Sequence, residues 1–244
     1  MRFIKVYEDF GNINRDEIVT ICDNFAINFN SINSDGTVDA DYINLYGKAV
    51  KYFLSKIQEK NYSNLDKLPL RFGRIEEHFL CNDNYLTTLD GSPHYVGDGF
   101  DCSNNLLTSL EGGPSHVVGD FSCQGNKLIT LFGSPKIVDG DFFCDHNKLT
   151  SFVGAPEIVG GNFSFRGNNI ISFEGFPSSV GHFQCSYDSL IYQLWVLFKD
   201  KDKIELFNEF DITRGRNIVI DRLNDFLVTI GKKPVEYVNG YNSI

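Results

Sequence analysis

The sequence predicts a repeat solenoid: short coils of one pattern, each giving one short parallel β-strand and a non-helical return leg, stacked between α-helical or α+β caps. Three observations predict it. Phe79, Phe100, Phe121, Phe142 and Phe163 recur every 21 residues, and Phe183 follows after 20. Two positions after each comes Cys81, Cys102, Cys123, Cys144 or Cys185, with Phe165 in the one remaining slot; five positions after come Asn84, Asn105, Asn126, Asn147 and Asn168, with Asp188 ending the column. Later in each unit a Gly and a Pro stand two apart, from Gly91 and Pro93 to Gly175 and Pro177, which uses five of the chain's seven prolines.

Each element follows from this spacing. Phe-x-Cys points two side chains to one side, the period of a strand, and the polar Asn then turns the chain. Because Pro removes a donor and Gly weakens a helix interior, the return leg is extended or turn-like. Apolar columns continue through Leu86, Leu107, Leu128, Leu149 and Ile170, through Leu89, Leu110, Leu131, Phe152 and Phe173, and through Val96, Val117, Val138, Val159 and Val180. One flat unit cannot bury these columns alone, so units must stack and their strands run parallel.

An open stack exposes an apolar cross-section at each end, so capping segments are expected. The division is residues 1–64 as an N-terminal α+β cap with a helical insert, 65–187 as about five to six coils, and 188–244 as a helical cap. LDKLPLRFGRIEEHF keeps the register of a second half-unit, which starts the array near Leu65. Upstream, TVDADYINLY alternates like a strand, and NRDEIVTICDNFAI and AVKYFLSKIQEK have helical spacing. Downstream, DSLIYQLWVLF reads as a helix with Asp188 as N-cap, and Trp195 is expected against the last coil. NIVIDRLNDFLVTIG reads as another helix, stopped by Gly231 with Pro234 beyond.

Units of the form FxCxxNxLxxLxGxPxxV resemble leucine-rich repeats, of a short kind in which Cys replaces a core Leu of the strand. More narrowly, the run resembles tandem repeat proteins of bacteriophages and some bacteria, with units reading roughly GGDFxCxxNxLxSLEGxPxxV. INSDGTVDADYINL before the repeats, and LFKDKDKIELFNEFDI with RLNDFLVTIGKKPVEYVNGYNSI after them, resemble that group's flanks, so the likeness covers most of residues 32–244. GKAVKYFLSKIQEKNYSN departs from it, where a shorter connection belongs. The resemblance implies a fold and no particular reaction; it also implies a phage setting, with a host protein or a virion component as partner.

Composition narrows the function classes. A net charge of −10 and a pI near 4.9 disfavour wrapping phosphate backbones, so no nucleic-acid partner is expected. MRFIKVYEDFGNINRDE carries acids early, which fits neither a secretory nor a transit peptide, and no run approaches about 18 apolar residues. The expected compartment is the cytoplasm, or a virus particle assembled there, with no membrane partner.

The columns that look like chemistry read as frame. Zinc sites gather thiols in tight turns, whereas these come one per coil, in a row about 4.8 Å apart. Phe165 in one slot fits a core position, not a ligand set. The asparagines read as a ladder that satisfies backbone groups at each bend. His78, His94, His116, His146 and His182 lie in no GxSxG or HExxH context, and His146 beside Asp145 reads as a solvated strand end. SDGTVDAD lacks the spacing and closing Glu of a calcium loop. No catalytic residue, metal, cofactor or small-molecule substrate is therefore expected, and no enzymatic activity.

What remains is the surface. Residues alternating with Phe and Cys point outwards, including Asp101, Asp120, Ser122, Gln124, Asp141, Phe143, Asp145, Asn162, Ser164 and Arg166. Residues 79–188 hold twelve acids and four bases, a net of −8. Phe143 in the middle of that face, with Leu80 near an edge, adds apolar surface of the kind that anchors interfaces. Two readings stay open for this face: a solvated surface, or a protein interface centred on Asp101, Asp120, Gln124, Asp141, Phe143, Asp145 and Arg166. For the whole chain the expectation is a non-enzymatic protein-binding module, with a structural or assembly role in a virus particle as the alternative.

Overall fold

The computed structural model describes residues 13–47, 65–187 and 189–244. Its centre is one large, mostly parallel sheet. Before the repeats lie β1 (Ser31–Ile32), β2 (Val38–Ala40) and β3 (Ile43–Asn44). Then come β4 (Phe72–Ile75), β5 (Phe79–Leu80), β6 (Tyr95–Val96), β7 (Phe100–Asp101), β8 (His116–Val117) and β9 (Phe121–Ser122). β10 (Ile137–Val138), β11 (Phe142–Phe143), β12 (Ile158–Ser164) and β13 (Ser179–Gln184) complete it.

The strands form two ladders. In the first, Ile75, Val96, Val117, Val138, Val159 and Val180 are successive partners; in the second, Phe79, Phe100, Phe121, Phe142, Phe163 and Phe183 are. The structure thus corrects the expectation of one strand per coil, since the units from β4 to β11 give two each, while β12 and β13 are single longer strands that serve both ladders. The extra strand is the Val-column residue with its predecessor, too short for alternation to reveal. A bend around Gly97–Gly99 and its equivalents separates the ladders as far as β11, whereas β12 and β13 run through it, with a register shift between Val159 and Asn162. The sheet also reaches upstream of Leu65: Ala40 pairs with Ile75 and Ile43 with Phe79.

The Phe, Cys and Leu columns are buried from Phe79 to Leu149, and the rings of Phe79, Phe100, Phe121 and Phe142 lie nearly parallel, 5.2–5.5 Å apart. The asparagine column forms the expected ladder. Asn126 Nδ2 donates to the carbonyls of Cys102 at 3.0 Å and Cys123 at 3.1 Å, and its Oδ1 accepts from Leu107 N–H at 3.0 Å. Asn84, Asn105, Asn147 and Asn168 repeat the arrangement. Each amide ties its own turn to the preceding unit, which leaves few backbone groups stranded at the bend. Just before each Asn the chain is left-handed, at Asp83, Asn104, Gly125, His146 and Gly167. The Gly column is required by both conformation and space: Gly133 has φ +92°, and a Cβ there would stand 2.1 Å from the carbonyl carbon of Leu110.

Helices close both ends. α1 (Arg15–Phe25) starts at a capping box between Asn14 and Glu17 and buries Ile18, Ile21, Cys22 and Phe25. At the other end, α2 (Leu190–Phe198) is capped by Ser189, whose side chain accepts from Tyr192 N–H. The cap assigned to Asp188, and the helix expected within AVKYFLSKIQEK, lie outside the described residues. Trp195 meets Phe183 edge to face at 4.7 Å, as anticipated. α3 (Ile204–Glu209) and α4 (Ile220–Thr229) add Phe207 and Phe226 to the same aromatic cluster. A small sheet of β14 (Thr213–Arg214), β15 (Asn217–Ile218) and β16 (Asn242–Ser243) follows, and Tyr241 Oη donates to Ile171 O at 2.9 Å.

Candidate functional site

The thiols face the core. Cys22, Cys81, Cys102, Cys123 and Cys144 are free and buried, and burial pushes their pKa values up, that of Cys22 to about 11. Such groups are poor nucleophiles at neutral pH. Cys185 is half-buried, and burial raises its pKa as well. Among the described residues no group of three His, Cys, Asp or Glu is placed to hold a metal ion, and no helix is long and apolar enough to cross a membrane.

The outer face of the second ladder holds the residues expected there, but many are bonded to their neighbours. Asp120 Oδ1 accepts from Asp141 N–H at 2.7 Å, and Asp141 Oδ1 accepts in turn from Asn162 N–H at 2.6 Å. His78 does the same for Gly99 with Nδ1, at 3.2 Å. At three of the positions before the Phe, His78, Asp120 and Asp141, a side-chain acceptor therefore serves the next unit's backbone at the bend. Asp101 is used locally, accepting from Ser103 N–H at 2.9 Å.

Asp145 is not displayed at all. It is 7% exposed, and its Oδ1 accepts from Ser164 Oγ at 2.7 Å and Arg166 N–H at 2.6 Å. It turns towards the next unit instead of towards His146, whose backbone occupies the left-handed turn position. Arg166 is exposed and donates to Gln184 Oε1 at 2.6 Å. The structure thus joins Asp145, Arg166 and Gln184 in one line of contacts, and Asp120 and Asp141 in another. Gln124 is exposed, and no described residue bonds its side chain. Phe143 is partly exposed between its register partners Ser122 and Ser164, two small residues that leave its ring in relief.

Sequence reasoning missed a second outer row, on the first ladder. Arg74 lies 3.6 Å over the ring of Tyr95, Tyr95 stacks on His116 at 5.3 Å, and Ile137 and Ile158 continue the row, each 39% exposed. The signal is an apolar or aromatic residue immediately before four of the five Val positions, Tyr95, His116, Ile137 and Ile158, but spacing alone does not assign the Val to a strand. The missed acceptors also left a trace in the sequence: Gly140 and Gly161 stand 20 residues after Asp120 and Asp141. A Cβ at Gly140 would lie 2.4 Å from Asp120 Oδ1, and one at Gly161 would lie 2.1 Å from Asp141 Oδ1.

Compared with protein-family models, curated proteins and solved structures, the chain matches none. What the residues themselves offer is a regular frame whose polar columns are largely committed to holding units together. The outer surface keeps a few side chains free of that duty.

Proposed function

We propose that the chain is a leucine-rich-repeat type solenoid that acts without catalysis, binding a partner protein through the outer face of its strands. The observation that carries this reading is Phe143, a partly exposed ring held between Ser122 and Ser164 on a stretch with a net charge of −8. An aromatic anchor surrounded by polar residues is the usual centre of a protein interface. Gln124 and Asp120 are the exposed polar neighbours that read the partner, and Arg166 supplies a cation at one side. If the chain is phage-encoded, as its repeat resembles, the partner is a host protein or a component of the virus particle.

Asp145 is excluded as a test position, because its carboxylate serves Ser164 and Arg166 and its loss would perturb the frame. The test is affinity purification from infected cells with the natural chain and with a Phe143→Ala, Gln124→Lys variant. A partner lost by the variant, with an unchanged melting curve, is the expected result. Retention of the same partner at full yield would overturn the assignment of this face. Stoichiometric copies in purified virions and no host complex would favour an assembly role instead.

A further inference from the structure

The two ladders end differently. Along the second, each unit passes N–H groups to the carbonyls of the next: Phe121 to Asp141 at 2.8 Å, Cys144 to Ser164 at 2.8 Å, Phe165 to Gln184 at 3.0 Å. β13 is the last strand of the large sheet and, among the described residues, pairs only with β12. By the same phase, Phe183 and Cys185 hold their N–H groups on the far edge, and among the described residues none accepts them. The first ladder is closed at this end. Where Val96 O accepts from Val118 N–H in the row, Val180 O accepts from Lys201 Nζ at 2.6 Å, and Lys201 stands 21 residues beyond it. An ammonium takes the place that the next unit's backbone would have filled.

A cleft of about 1010 Å³ lies along the open edge, and Tyr192, Trp195 and Lys199 line it opposite β13. Trp195 is braced against Phe183, so the floor is apolar and fixed. Unmet donors on a sheet edge are a template for an added strand, and an apolar wall beside them supplies side-chain contacts. The charged residues lining the cleft are three cations, Arg166, Lys199 and Lys201, against Asp200 and Asp202. The strand face carries the opposite balance.

We propose that this cleft takes an extended, acidic peptide segment of a partner protein as a further strand on β13. Carbonyls of the segment accept from Phe183 and Cys185, its apolar side chains lie on Tyr192 and Trp195, and a carboxylate reaches Arg166 or Lys199. The acidic strand face repels such a segment, which confines it to the cleft. The site shares Arg166 with the interface proposed above but does not use Phe143 or Gln124, so changes at those two positions tell the failure of one from the failure of the other.

The probe is a short fluorescein-labelled peptide alternating Glu and Val, read by anisotropy on the full chain, together with amide exchange by NMR. Phe183 and Cys185 amides are expected to exchange fast in the free protein and to become protected in the complex. N-methylation of alternate peptide nitrogens in one of the two phases should weaken binding by about tenfold, as should Lys in place of Glu. Lys199→Glu in the protein should weaken it as well, and Phe143→Ala should leave it unchanged. Failure of the peptide to bind, equal affinity for both N-methylated phases, or no protection at Phe183 and Cys185 would overturn the proposal.

Discussion

The middle of the sheet and its C-terminal end are built from the same residue, phenylalanine, packed in two different ways. From Phe79 to Phe142 the rings are nearly parallel, with interplanar angles of 6°, 16° and 7°. From Phe142 to Phe163 the angle jumps to 66°, and Phe152, Phe165, Phe173 and Phe176 then meet one another or Phe163 at 53° to 85°. In the middle each ring has copies of itself above and below, and translation by one unit dictates offset stacking. At the end, Phe165 replaces a Cys and Phe152 and Phe173 replace Leu, so extra rings enter and edge-to-face contacts take over. That cluster continues into Trp195, Phe198, Phe207 and Phe226. Periodic packing gives way to an ordinary three-dimensional core where the chain must be fastened to its helical end.

The sharpest way to break this contrast is at the fastening. Phe173 touches Phe198 and Phe207, and Phe173→Ala should cost about 3–5 kcal/mol in chemical denaturation. It should also make the helical end melt apart from the sheet, which tryptophan fluorescence of Trp195 would report against far-ultraviolet circular dichroism. Coincident transitions by both probes would argue that the two packings are one cooperative unit. Next comes Phe165→Cys, the substitution that makes the Cys column uniform. It should destabilise by about 2–4 kcal/mol, because Phe152, Phe163 and Phe183 lose a ring neighbour that a thiol does not replace. A neutral result would mean that the end follows the same packing rule as the middle.

The asparagine ladder separates the regions more gently. Asn126→Ala strands Leu107 N–H in the buried middle and takes one amide donor from each of the carbonyls of Cys102 and Cys123, which keep Asn105 and Asn147, at a cost of about 1–3 kcal/mol. The same change at Asn168, which is half-buried, should cost less. The smallest effect is chemical and pH-dependent. Burial holds the folded thiols of Cys81, Cys102, Cys123 and Cys144 above their ordinary 9.0, so stability from keeping them neutral is complete below that pH. It is lost as pH rises above 9.0, where only the unfolded chain ionises them; denaturation midpoints should fall from pH 9 upward. At pH 8 a thiol reagent should label Cys185 first, with the other five labelled only on unfolding.

Much of this was legible before any coordinate. The period, the buried columns, the amide ladder and the position of Trp195 follow from spacing, because stacking makes one unit's environment a copy of the next. The second strand was not legible: Tyr95–Val96, His116–Val117 and Ile137–Val138 are two residues long, and alternation has no meaning at that length. The candidate face was half legible. Ser122, Gln124 and Phe143 stand where strand geometry puts them, but Asp120, Asp141 and Asp145 bend back to the next unit's backbone. Outward direction from a strand does not determine whether a carboxylate meets water or a neighbouring N–H. The cleft depends on how α2 docks beside β13, a contact that no column of the repeat encodes.

The bonds of Asn126 carry a consequence for the gene. They reach Leu107 and Cys102, 19 and 24 residues back, and Asn147 reaches Leu128 and Cys123 over the same intervals. Excising residues 105–125 in frame would give Asn126 the turn carbonyl of Cys102 as its own and Leu86 N–H and Cys81 O across the boundary, the set that Asn105 now holds. Every other column would close with equivalent partners. Unequal exchange between neighbouring repeats can therefore shorten or lengthen this protein by whole units, changing the reach of its surface while the chemistry of each junction stays the same.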